Sequence, residues 1–217
     1  MREPRDQIED EAGYNYSVWL KHLAFLTRSG AEPVIPETMA ELGPGDSIGV
    51  GIAALLSGVE RYYALDVQRY TNVEQNLAML DNLVELFRSR KPCPSKGWPD
   101  FGFVLDEDGF PSSILTDERL ERALEPKRIA DIRTNIEQLD RASGPYIEYH
   151  VPWTESGIIR EETVDLILSH SVLEHIVDLE TTYDACRRWL CPGCWCWCWR
   201  GFALLRHSGS WRAGHRS

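Results

Sequence analysis

Between residues 41 and 66 the chain carries a small set of residues able to do chemistry together. Glu41-Leu-Gly-Pro-Gly45 is followed by Asp46, and Asp66 stands 21 residues beyond Gly45. Gly43 and Gly45 allow a tight turn at positive φ and let a ligand approach backbone amides without a Cβ in the way. When such a turn follows a strand and opens a helix, an acid ending the next strand falls beside it. Both oxygens of that acid can accept hydrogen bonds from vicinal ribose hydroxyls. A lone GxG occurs in many turns. The full series of strand, turn, helix, strand and acid predicts a nucleoside site at the carboxyl ends of parallel strands.

The turn also discriminates between nucleosides. A dinucleotide site favours GxGxxG, whereas Ile48 holds the third small position here and the next glycine is Gly49. A carboxylate such as Asp46 is awkward beside a pyrophosphate. A nucleoside without phosphate, such as S-adenosylmethionine, fits better, and Glu41 would suit its cationic sulfonium, directly or through water. An NAD(P)-dependent oxidoreductase stays open as the competing reading.

Apolar periodicity supplies the elements that must hold these residues. Trp19, Leu23 and Leu26 share one helical face within residues 17–26. A strand is predicted at 38–42. Ile48, Ile52, Leu55, Leu56 and Val59 then mark a helix stopped at Ser57-Gly58. Tyr62 to Leu65 reads as a buried strand. Asn72 and Gln75 have capping-box spacing ahead of a helix carrying Val73, Leu77, Leu80, Val84 and Phe87. Residues 91–113 are rich in Pro, Gly and Asp and read as a loop, and 115–140 are helical in pattern but interrupted by Pro126. Strands follow at 146–151 and 164–168, then an amphipathic helix from Leu173 to Leu190. This is the opening of a doubly wound α/β fold. About 80 residues separate Asp66 from the third strand, where a crossover helix needs roughly 20 to 30. The region 90–145 is therefore an insertion, either a lid or binding loop or a surface elaboration.

Composition sets outer bounds. The 217 residues are 43% apolar and 26% charged, which suits one globular domain and excludes a wholly disordered or fibrous chain. The near-apolar run from Ile48 to Leu56 is too short to cross a bilayer, and the opening residues lack the apolar core of a secretory signal. A net charge of -11 argues against general nucleic-acid binding. A cytoplasmic protein without membrane association is expected.

The text changes character at Cys191. All 34 acids precede it, while the last 27 residues hold four Arg, four Cys and four Trp. Three readings compete for this stretch. The spacing of Cys191, Cys194, Cys196 and Cys198 admits a zinc or redox site, though four thiolates within eight residues would crowd a tetrahedron. The Cys-Trp alternation also suits a strand with two distinct faces. Composition favours the third reading, a frame slip after Leu190 giving an aberrant, poorly ordered tail over 194–217. No metal site is assigned.

Four stretches resemble class I S-adenosylmethionine-dependent methyltransferases, close to the type-11 methyltransferase-domain group. They are Glu41-Leu-Gly-Pro-Gly45, Tyr63-Ala-Leu-Asp66, Pro152-Trp153 with Thr163-Val-Asp165-Leu-Ile, and Ser171-Val-Leu-Glu-His-Ile176 with Trp189-Leu-Cys-Pro-Gly193. The resemblance covers roughly 38–89 and 146–193 and implies a Rossmann-like, mostly parallel sheet in a domain spanning 1–193. It implies S-adenosyl-L-methionine as cofactor and a small or macromolecular methyl acceptor that the sequence does not name, with Trp98, Phe101, Phe103 and Phe110 of the insertion either walling the acceptor pocket or packing onto the core. Glu41, Gly43 and Gly45 would line its methionine and ribose part, Asp66 would hold the ribose hydroxyls, and Val67 would pack on the adenine. Ser169 and His170 would face cofactor and acceptor, and His175 would begin the next helix. His170 and His175 are the candidate general bases, with capping or packing as the other role for His175. Two departures stand out. The usual acid beside the adenine amino group is replaced by the region of Tyr149 and His150, and Cys194 occupies the second glycine of the family's Leu-Lys-Pro-Gly-Gly run. The latter implies a sheet incomplete at its C-terminal strands and a chain whose activity is impaired or lost.

Overall fold

The structure is a computed structural model, and it describes residues 4–28, 30, 35–93, 109–141, 144–153, 156–170, 172, 175–199 and 203–206. Its elements run α1 (Pro4–Arg28), β1 (Thr38–Leu42), α2 (Gly49–Leu55), β2 (Arg61–Leu65), α3 (Val73–Arg88), α4 (Asp117–Ala123), α5 (Pro126–Glu137), β3 (Ile147–His150), β4 (Val164–His170), α6 (Leu179–Trp189), β5 (Leu190–Trp199) and β6 (Ala203–Arg206).

Among the described residues, six strands form one sheet in the order β3-β2-β1-β4-β5-β6, parallel throughout except for β6, which runs antiparallel to β5. This is the doubly wound, Rossmann-like α/β architecture. Alternation along the strands explains why both faces are covered. Met39, Tyr62, Ala64, Leu166 and Leu168 point into a core shared with Trp19, Leu23, Ile52, Leu80 and Phe87 from α1, α2 and α3. Ala40, Leu42, Tyr63, Leu65 and Ile167 point the other way, onto Ala185, Cys186 and Trp189 of α6. A sheet buried on both faces needs nearly continuous apolar strands, which these sequences supply.

Local signals are kept at several ends. The Asn72 side chain accepts the Gln75 N–H at 2.8 Å and caps α3, as its spacing predicts. Pro126, read as an interruption, sits in the first turn of α5, where its missing N–H costs nothing. The buried Trp19 indole donates to Ser57 Oγ at 2.8 Å and ties α1 to the end of α2.

Three expectations are corrected. Residues 194–199 and 203–206, assigned to a poorly ordered tail, are strands β5 and β6, so the Cys-Trp alternation is strand text and the sheet continues past β4. Residues 200–202 and 207–217 lie outside the described residues. The helix predicted from Leu173 begins at Leu179, because Asp178 caps it by accepting the Thr181 N–H at 3.0 Å. Phe110, a candidate pocket wall, is 1% exposed and packed in the core under the Arg90 guanidinium, 5.7 Å from its ring centre. Trp98, Phe101 and Phe103 lie outside the described residues. Within the insertion, α5 packs on α3 and β3 through Ile132 and Ile136. Among the described residues no helix is long and apolar enough to cross a membrane.

Candidate active site

In the strand order, β1 lies between β2 and β4, whose connections leave in opposite directions. A crevice opens outside the carboxyl ends at such a point. The glycine turn leaves β1 there. Gly43 has φ 67° and Gly45 φ 75°, a region L side chains enter only with strain. The Gly43 N–H donates to the Leu65 carbonyl at 2.7 Å, which extends the β1–β2 ladder into the turn. A Cβ on Gly43 would come within 2.5 Å of the Val172 side chain, so the loop after β4 closes against a bare backbone. A Cβ on Gly45 would meet nothing within 4 Å, leaving open space beside that amide.

Asp66 follows β2 and is 5% exposed. Its carboxylate accepts the Gly45 N–H at 3.1 Å and the Val67 N–H at 2.8 Å. Each oxygen thus takes one backbone donor and keeps a lone pair for another. The 21-residue spacing read from sequence is realised as a direct bond between turn and acid.

Glu41 is 4% exposed, and its Oε2 accepts the Tyr62 hydroxyl at 2.6 Å. Burial raises its carboxyl from 4.5 to about 7. The Tyr62 hydrogen bond opposes this rise and the charge of Asp66 adds to it. A buried acid held near neutrality can meet a cation at small cost.

A cavity of about 440 Å³ lies between this turn and α1. Its walls are Glu11, Tyr14, Asn15 and Val18 of α1, Glu41, Gly43, Pro44, Asp46, Ser47 and Val50 around the turn, and His170 at the end of β4. The Tyr14 hydroxyl and His170 Nε2 share a hydrogen bond at 3.1 Å. Behind them the buried His22 ring stands edge-on to His170, 6.1 Å between centres. Burial, reinforced by the neighbouring His170, lowers the His22 imidazole from 6.5 to about 3, so His22 is neutral at pH 7. The floor of the turn is fixed by Asn76, whose Oδ1 accepts the Ile48 N–H at 3.1 Å and the Ser47 hydroxyl at 3.4 Å.

The structure therefore gathers Glu41, Gly43 and His170 around one cavity and joins Gly45 to Asp66 at its edge. Val67 is 65% exposed beside Asp66, open to a flat apolar group. Ser169 is buried, and its hydroxyl has no hydrogen-bond partner among the described residues. His175 is exposed, lies outside the cavity lining and precedes α6 by four residues, with its N–H on the Val172 carbonyl. The apolar periodicity over residues 17–26 does not reach the turns of α1 that line most of this wall. Glu11, Tyr14, Asn15 and Val18 recur at i, i+3, i+4 and i+7, which is the spacing of one helical face.

An adenosine carrying a cationic side chain fits these residues. The open space beside Gly45 and the remaining lone pairs of Asp66 suit a ribose, the orphaned Ser169 hydroxyl suits a polar purine edge, and the acids of the cavity wall suit a sulfonium. A pyrophosphate would meet Glu41 and Asp46.

Residues 120–198, a little over a third of the chain, match the family model described as a methyltransferase domain. The match supports the resemblance to class I methyltransferases over β3 to β5 and runs eight residues past Leu190. Among solved structures, one from Methanococcus maripaludis, described as a candidate S-adenosyl-L-methionine-dependent methyltransferase, is similar at 15% identity with a TM-score of 0.39. That similarity covers 91% of this chain and 66% of the other, so the chain spans just under two thirds of its relative. No curated protein matches.

Proposed function

We propose that this chain binds S-adenosyl-L-methionine at the carboxyl ends of β1 and β2 and transfers its methyl group to an acceptor entering beside His170. The observation that carries the reading is the bond from the Gly45 amide to the Asp66 carboxylate, set at the rim of a cavity walled by Glu41, Gly43 and His170. When bound, S-adenosylmethionine supplies a methyl group already activated on sulfonium. The chain's task is then alignment and exclusion of water. Asp66 would accept the two ribose hydroxyls, Val67 would pack against the purine, and the ionised Glu41 would face the positive end of the ligand. His170 would take a proton from the acceptor through the nitrogen now shared with Tyr14, after that hydroxyl gives way or relays it. The α1 face bearing Tyr14, Asn15 and Val18 would close over the reacting atoms. The acceptor is a small molecule or a macromolecule, and neither nucleic acid in general nor a membrane belongs to this reading.

Retention of labelled S-adenosylmethionine on the protein, competed by S-adenosylhomocysteine and unaffected by NAD, is the expected result of a filter-binding experiment. Retention of NAD with no retention of S-adenosylmethionine would replace methyl transfer with hydride transfer.

A further inference from the structure

Asp165, Cys191 and Cys194 come together at the opposite end of the sheet. Val164 of β4 pairs with Leu190, and Leu166 pairs with Trp195. A single residue of β4, Asp165, therefore stands opposite four residues of β5, Cys191-Pro-Gly-Cys194. The surplus loops out as a bulge, with Gly193 at φ 85°. Cys191 and Cys194 close the bulge as a disulfide, their Cα atoms 5.4 Å apart. Asp165 is fixed from the other side. Its Oδ2 accepts the N–H groups of Glu37 and Thr38, both at 2.9 Å, which turns Oδ1 toward the sulfurs. Oδ1 lies 3.5 Å from Cys191 Sγ and 3.8 Å from Cys194 Sγ.

This arrangement treats the two oxidation states differently. Two thiols can each donate S–H to Oδ1, whereas a disulfide has no proton to give and turns only lone pairs toward a carboxylate. A purely structural cross-link gains nothing from such a neighbour. Cys191 is partly exposed and Cys194 is 6% exposed, so Cys191 is the more accessible of the two residues. We propose that Cys191 and Cys194 are a thiol–disulfide exchange site for a low-molecular-weight thiol/disulfide couple, with Asp165 as the positioning residue that favours the dithiol.

In the oxidising direction Cys191 gives its proton to water and attacks one sulfur of the small disulfide. The other half leaves as a thiolate and takes up a proton. Cys194 then loses its proton in the same way and displaces the second half from the mixed disulfide. One S–S bond breaks for each that forms. Two electrons and two protons pass from the pair to the couple, releasing two small thiols.

The test equilibrates the full chain in glutathione buffers of graded ratio, quenches with acid, labels free thiols after denaturation and maps the labelled peptides. Cys191 and Cys194 are expected to lose label together and reversibly as the buffer becomes oxidising, while the buried Cys93 and Cys186 stay labelled. Cys194→Ser should accumulate a glutathione adduct at Cys191. Asp165→Asn, which keeps an acceptor for the Glu37 and Thr38 amides, should shift the midpoint about tenfold toward disulfide at unchanged circular dichroism. Independent labelling of the two cysteines at every ratio would overturn the exchange site. So would stoichiometric zinc held by the reduced pair that blocks its oxidation, since the same two sulfurs and Asp165 could serve as metal ligands. An unmoved midpoint in Asp165→Asn would remove Asp165 from the account.

Discussion

Asp66→Ala is expected to weaken S-adenosylmethionine binding about a hundredfold, measured by calorimetry at pH 8. Hydrogen bonds to a charged acceptor contribute about 1.5–3 kcal/mol each, and both ribose hydroxyls would lose theirs. The same change frees the Gly45 amide from its present acceptor, so the turn loses its tie to β2. Asp66→Asn separates the two effects. It keeps a carbonyl for Gly45 and one ribose hydroxyl but removes the charge, and a loss of about tenfold is expected. Ligand affinity surviving intact in a folded Asp66→Ala protein would show that the sugar is held elsewhere.

The second large effect belongs to Glu41 and is visible in pH dependence. Its folded value of about 7 lies above the 4.5 of an unburied glutamate. Between those values the unfolded chain is ionised while the folded chain keeps the proton. Stability must therefore fall as pH rises through this window, by on the order of 3 kcal/mol in all, and stay low above it. Glu41→Gln removes the titration and should flatten that part of the profile, leaving the variant more stable than the natural chain at pH 8. Binding should move the other way. A cation draws Glu41 into its ionised form, so affinity rises as pH rises through 7 and binding releases a proton. Glu41→Gln abolishes both the rise and the release. Denaturant unfolding across pH and calorimetry in buffers of different ionisation enthalpy measure the two arms. A Glu41→Gln protein that binds as tightly as its parent, with the same pH profile, would exclude Glu41 from the ligand's cationic end.

What could be read from sequence was local. The glycine turn, the strand before it and the acid after it are short-range features. Thr38 to Leu42, the Asn72 cap and the Gly45-to-Asp66 distance therefore reappear in the structure with little change. What could not be read depends on contacts between distant segments. The first turns of α1 carry charges and no strong apolar stripe. Their cavity-lining face has meaning only once α1 packs on α2, where Asn15 lies so close to Gly49 that a Cβ there would collide with it. Residues 194–199 read as tail when composition is weighed above alternation, yet they belong to β5. Trp and Cys in turn are good strand text once β4 supplies a partner along Leu166 to His170. Asp165 illustrates the same limit. Nothing in Thr163-Val-Asp-Leu-Ile announces that its carboxylate will face two sulfurs 26 and 29 residues away.

The proposed methyl-donor site rests on a bare turn and the neighbouring carboxylate holding an adenosine sugar. The most direct measurement is a titration of the isotope-labelled chain with S-adenosylmethionine, followed through its backbone amide resonances. The amides of Gly43, Gly45 and Val67 are expected to shift together and saturably, and to stay still when NAD is added. Saturable binding that leaves all three in place, or NAD moving them where S-adenosylmethionine does not, would contradict it.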